Sequence, residues 1–131
     1  MKNTRNEYIR QWLLKAEEDL LVANTLIAHD FSAKASICFH CQQAAEKYLK
    51  AFLIAHDKEF PKTHSIEYLL AACSTIDEAF KQVDPVNLSD FGVGARYPGD
   101  VYLPSKKEVL IYKDIVLRIK ELVEYRLTPN P

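Results

Sequence analysis

Residues 36–54, SICFHCQQAAEKYLKAFLI, constrain this chain more than any other stretch. Ile37, Cys41, Ala44, Tyr48 and Phe52 recur at three- and four-residue steps, which sets them on one face of a helix. Ala45, Leu49 and residues 51–53 widen that face, so the helix is expected to be covered on more than one side. A second stripe, His40, Gln43, Lys47 and Lys50, has the same spacing and entirely polar chemistry. Glu46 and Lys50 stand four apart in acid-first order, the arrangement of an exposed helix pair. The stretch reads as the central helix of a bundle, buried on most faces and polar on one.

The remaining segments fit around such a helix. Residues 5–29 read as a first helix that Asn3 or Thr4 can cap, with Ile9, Trp12, Leu13, Ala16, Leu20, Ala23 and Ile27 inward. Glu17, Glu18 and Asp19 are expected to face water. A short break over 29–32 lets Ser32 cap the central helix, which runs to about His56, and so short a connection makes the two helices antiparallel. Pro61 ends that segment, and Thr63 or Ser65 can start a third helix over 65–74 with Ile66, Leu69, Leu70 and Cys73 inward. Residues 75–83 read as a further helix with Ile76, Phe80 and Val83 inward, and Pro85 interrupts it. Residues 84–104 hold all 3 glycines and half of the 6 prolines, so they read as a long loop. From Ser105 the chain returns to helix until about Leu127, with Val109, Tyr112, Val116, Ile119 and Val123 as its core stripe. The fold class is all-α: one domain over residues 1–131, core about 5–127. Its architecture is an up-and-down bundle of about five helices with a long Gly/Pro-containing loop before the last.

Composition removes several classes of function. Hydrophobic residues make up 48% and charged residues 27%, the balance of an ordinary globular domain. A formal charge of −1 and a pI near 6.4 supply no global field for nucleic acid, so such binding has to come from a local patch. No run of roughly 18 apolar residues is present to span a bilayer. The first dozen residues lack the hydrophobic segment of a signal peptide. Three cysteines are an odd number and outline no disulfide framework. A cytoplasmic protein without membrane contact is the expectation.

Four features can carry chemistry. Cys38 and Cys41 form a C-x-x-C around His40, but structural zinc needs about four ligands, usually on paired turns, and this pair lies within a helix. Buried, unreactive thiols are the expectation, with no metal. The stripe His40, Gln43, Lys47, Lys50 is either a solvated face or a set of donors for phosphate oxygens or a partner's acids. His64, in the turn that opens the third helix, can cap it or serve as a base. In the loop, Gly92-x-Gly94 has neither the third glycine nor the preceding strand of a dinucleotide fingerprint. What that loop does contain is Arg96, beside Tyr97 and near Asp90, Asp100 and Tyr102. Arg96 can pair with Asp90 or Asp100 across the end of the bundle. Alternatively it can hold a phosphate while Tyr97 stacks a base.

AEEDL in the first helix, CFHCQQAAEKYLKAFL, PKTHSIEYLL and ARYPGD, in this order and spacing, resemble the HEPN domain family over roughly residues 5–127. The resemblance implies a helical bundle of four to five helices and a homodimer. It also implies a frequent pairing with a minimal nucleotidyltransferase in toxin–antitoxin-like modules, and nucleotide binding without a cofactor. Many HEPN proteins are metal-independent ribonucleases whose signature is an arginine followed four to six residues later by histidine. After Arg96 this chain continues Tyr97, Pro98, Gly99, Asp100, Val101, Tyr102, Leu103, with no histidine. The expected function is therefore a nucleotide- or RNA-phosphate-binding module with no assigned catalytic residue. Its ligand residues would be Arg96, Tyr97, Asp100, Lys47, His40, Gln43, Lys50 and His64. The alternatives are a degenerate ribonuclease that borrows a histidine from elsewhere, and a pure protein-interaction module.

Overall fold

The computed structural model describes residues 2–92 and 103–127, with side chains from Arg5 onward. Among them every regular element is helical. Helix α1 spans Lys2–His29, α2 Lys34–Ala55, α3 Ile66–Ser74 and α4 Lys106–Leu127, with short 3₁₀ helices at Glu78–Gln82 and Leu88–Phe91 between α3 and α4. The expected all-α bundle is present, with α2 at its centre.

The apolar spacing of each long helix becomes its buried face. From α1, Ala16, Leu20 and Ala23 enter the core, with Leu13, Leu26 and Ile27 packed on its margin. Helix α2 buries 13 of its 22 residues, because α1, α3 and α4 all cover it. Helix α4 contributes Val109, Tyr112, Ile115, Val116, Ile119 and Val123. Helix α3 adds Ile66, Leu69, Leu70 and Cys73.

Helix direction follows from the contacts at the ends. Arg5, near the start of α1, donates to the carbonyl of Ala55 at the end of α2, so these helices are antiparallel. Lys106 at the start of α4 stands 5.2 Å from the ring of Phe31, just past the end of α1, and Leu127 shares a groove with Arg5 and Ile9. Helix α4 is therefore antiparallel to α1 and runs in the same sense as α2. The intervening segment carries the chain back along the bundle: Asn87 accepts from the Tyr112 hydroxyl, and the Phe91 and Tyr112 rings lie 5.2 Å apart.

Several boundaries differ from the sequence reading, each for a local reason. Helix α1 begins at Lys2, so Asn3 and Thr4 lie inside it rather than at its start. The N-cap of α2 is Ala33, without a side-chain bond, because the Ser32 hydroxyl donates to Asp30 instead (2.5 Å). Ser65 caps α3 by accepting from the Tyr68 amide, as expected. Ser105 and Glu108 form a reciprocal capping box at α4, 3.1 Å and 2.9 Å. The helix expected over 75–83 is a five-residue 3₁₀ turn that starts one residue after its cap Asp77. It seats Phe80 4.7 Å from Phe52 while Ile76, expected inward, is 37% exposed. Within the stretch read as loop, residues 88–91 form the second 3₁₀ helix. Helix α2 ends in a Schellman-type cap: Asp57 has φ 55°, its N–H bonds Ile54, and the Lys58 N–H bonds Leu53.

Candidate functional site

The polar stripe of α2 lies against two carboxylates that the sequence reading left facing water. Asp19 of α1 is one of them. Its Oδ1 lies 2.9 Å from His40 Nδ1 and its Oδ2 2.5 Å from Lys47 Nζ, with only 13% of the aspartate side chain exposed. The expectation that Asp19 faces water fails because antiparallel packing sets it directly against α2.

Glu46 is the second hub. Its Oε1 bonds His64 Nδ1 at 2.8 Å and accepts from Gln42 Nε2 at 3.2 Å, while Oε2 receives Lys50 Nζ at 3.0 Å. Glu46 and Lys50 are 5% and 8% exposed at the side chain, so the pair read as a surface pair is buried. A buried carboxylate needs this many donors, since burying it unpaired would cost several kcal/mol, on the order of 3–5. The Lys50 ammonium is further held 5.7 Å from the ring centroids of both Trp12 and Phe60.

Gln42 binds the cluster to the following segment. Besides Glu46 it donates to the His64 carbonyl at 2.9 Å, and its Oε1 accepts from Gln43 Nε2 at 2.7 Å. Gly92 presses on it: a Cβ at Gly92 would lie 3.1 Å from Gln42 Cδ and Nε2 and 3.3 Å from the Ser89 carbonyl. Close approach is what favours glycine here, because a Cβ would push Gln42 aside by a few tenths of an ångström, whereas its φ of −68° is open to any residue. The chain that carries Arg96 leaves the described structure at this point. Arg96, Tyr97 and Asp100 lie outside the described residues.

The structure thus brings together five of the eight candidate residues. His40 and Lys47 meet on Asp19. Lys50 and His64 meet on Glu46, and Gln43 joins through Gln42. None of the five is a freely solvated donor. His64 does not cap α3 with its side chain, because Ser65 does so; the imidazole is turned to Glu46 and remains 50% exposed. A carboxylate oxygen only accepts, so Nδ1 carries the proton and Nε2 is the nitrogen suited to exchange protons or accept a bond at the surface. Sequence reasoning missed Asp19, Gln42 and Glu46. One signal was present: Gln42, Glu46 and Lys50 recur every four residues along α2 and so share one face of it.

The cysteines belong to the core. Burial pushes the Cys38 thiol up to about 12, with the Glu108 charge adding to it. Burial, then Cys38, lifts Cys41 to about 12 against a small opposing pull from Lys113. Burial alone raises Cys73 to about 12, and its thiol donates to the Leu49 carbonyl. Thiolate, the form that attacks or ligates, is scarce at neutral pH in such sites. Among the described residues no three His, Cys, Asp or Glu side chains converge as a metal site. Nor is any helix among them long and apolar enough to cross a membrane.

Compared with known proteins, residues 9–126 match the family model described as the HEPN domain. No curated protein and no solved structure matches the chain.

Proposed function

Because this chain belongs to the HEPN domain family, we propose that it is a nucleotide- or RNA-phosphate-binding helical module. It works as a homodimer in the cytoplasm, with a minimal nucleotidyltransferase as partner, in a toxin–antitoxin-like pair. The observation that carries this reading is the cluster of His64, Gln42 and Lys50 on Glu46, set where Gly92 hands the chain to the segment bearing Arg96. His40, Gln43, Lys47 and His64 contact the ligand from the bundle, and Arg96, Tyr97 and Asp100 from the segment beyond Gly92. Lys50 acts through Glu46, which it holds in place. Arginine suits a phosphate because its planar fork matches two oxygens at once.

The test is thermal stability of the purified chain with nucleoside triphosphates and with short single-stranded RNA. Ligand at a hundred times its dissociation constant stabilises the folded state by about 2.7 kcal/mol. Wild-type protein is expected to shift upward by several degrees, and Arg96→Ala to lose the shift. A flat response to every ligand overturns the reading.

One observation favours a second reading. His64, with Nδ1 held by a buried carboxylate and half its side chain open, has the arrangement of an oriented general base. A ribonuclease would use it to take the 2′-hydroxyl proton as that oxygen bonds phosphorus, Arg96 would stabilise the phosphorane, and the P–O5′ bond would break with water protonating the departing 5′-oxygen. This reading expects RNA cleavage in chelator that His64→Ala abolishes, whereas the binding reading expects affinity without cleavage.

A further inference from the structure

Where α1 borders α2, a pocket of about 210 Å³ is lined by Tyr8, Gln11, Trp12 and Lys15 of α1 and Lys47 of α2. Its floor is aromatic. Tyr8 and Trp12 stand one turn apart and meet edge to face, with centroids 6.2 Å apart, and Tyr8 is 50% exposed. Both rings could have been covered by a neighbouring helix, yet both border solvent. Two lysines border the pocket. Lys47 reaches it with its charge matched by Asp19, and the exposed Lys15 forms no ion pair among the described residues. The volume falls below the roughly 300 Å³ at which drug-sized ligand pockets begin. It suits one planar ring system, and anything attached to that ring must lie outside, beside the lysines.

We infer that this pocket is a base subsite, in which a nucleobase stacks on the face of one of the Trp12 and Tyr8 rings and meets the other edge-on, while its phosphate meets Lys15 and Lys47. The inference rests on the nucleotide-binding reading and deepens it by assigning where the base goes. Aromatic faces accept any base, because every base has a π-face, so the subsite selects for a base with a phosphate and is tolerant of sequence. Lys50 joins the two regions. Its ammonium lies 5.7 Å from the Trp12 centroid and bonds the carboxylate that holds His64. A nucleotide seated on Trp12 is therefore separated by a single buried side chain from the His64 cluster.

Trp12 is the only tryptophan in the chain, so indole fluorescence reports on this pocket alone. The experiment titrates the folded protein with AMP, with ATP and with a short single-stranded RNA. Ribose 5-phosphate serves as the base-free control, and N-acetyltryptophanamide corrects for absorbance. Saturable quenching by base-bearing ligands and none by ribose 5-phosphate is expected. Tyr8→Ala and Lys15→Glu, both at exposed positions and checked for folding by circular dichroism, are each expected to weaken the apparent affinity about tenfold. Quenching by the free nucleotides as well as RNA, or by RNA alone, assigns the source of the base and supports the subsite either way. Thermal stabilisation by nucleotides or RNA with unchanged Trp12 emission overturns the subsite while leaving the binding reading intact. Ligand affinity unaltered in both variants overturns it as well.

Discussion

Glu46 shows at the scale of single residues what the sequence could and could not disclose. Its place four residues before Lys50 was legible, and so was the favourable order of the charges. That both would be buried was not, because burial depends on Trp12 and Phe60, which arrive from α1 and from the turn before α3. The consequence is measurable. Glu46→Ala leaves Lys50 buried and unpaired and is expected to cost about 3–5 kcal/mol in urea denaturation. Replacing both charges, Glu46→Leu with Lys50→Met, is expected to come out near neutral, since burial of a matched pair gains little over apolar packing. A mild effect of the single substitution, under about 1 kcal/mol, would mean that water reaches Lys50. The cysteines were read more fully from the sequence, as core residues: Cys41 falls on the apolar stripe of α2 and Cys73 on that of α3.

Among the elements, the long helices and two of their caps were legible: Ser65 opens α3 and Ser105 opens α4. The connections were not. Residues 75–92 fold as two 3₁₀ helices, and what holds them lies far along the chain. Asp77 is such a tie, bonded to Arg126 of α4 and to the Ala79 amide. Arg126 first, and then the Ala79 N–H, hold its carboxyl below the usual carboxylate range. A folded-state value below the unfolded one gives stability that is full above the ordinary carboxylate range and lost as pH falls through the folded value. Asp77→Asn is therefore expected to lower the melting temperature at neutral pH, where the contribution is full, and to converge on wild type as pH falls, which flattens the acid side of the curve. The effect is small, because solvent screens the pair. An unchanged acid limb would show that the tie is not formed in solution. Val86 makes the opposite case. It is a β-branched residue at φ 52° and 53% exposed, so it carries left-handed strain without packing in return. Val86→Asn is expected to stabilise the fold by about 1 kcal/mol, read from the urea midpoint; destabilisation would contradict the strain.

For the whole molecule, the central placement of α2 followed from its doubled apolar face, and the all-α class from the absence of strand alternation. How neighbouring elements lie across α2 did not follow. A stripe such as His40, Gln43, Lys47 and Lys50 reads identically whether water, Asp19 or Glu46 faces it, because helical periodicity describes one element at a time. The resemblance to the HEPN family was carried by motifs spread over the whole length, and residues 9–126 match that family. The proposed site is likewise a property of the assembled bundle: α1 supplies Asp19, α2 the stripe, and the turn before α3 His64.

The most direct measurement is the salt dependence of binding between the chain and a short, end-labelled single-stranded RNA, with metal chelated. Wild-type protein is to be compared with Arg96→Ala and Lys47→Glu. A phosphate site predicts affinity that falls as salt rises, with a slope near −0.7 for each phosphate neutralised on a single strand. Arg96→Ala and Lys47→Glu should each weaken binding and make that slope shallower. Binding with no salt dependence, or binding that neither substitution alters, would contradict a phosphate site built from α2 and the segment beyond Gly92.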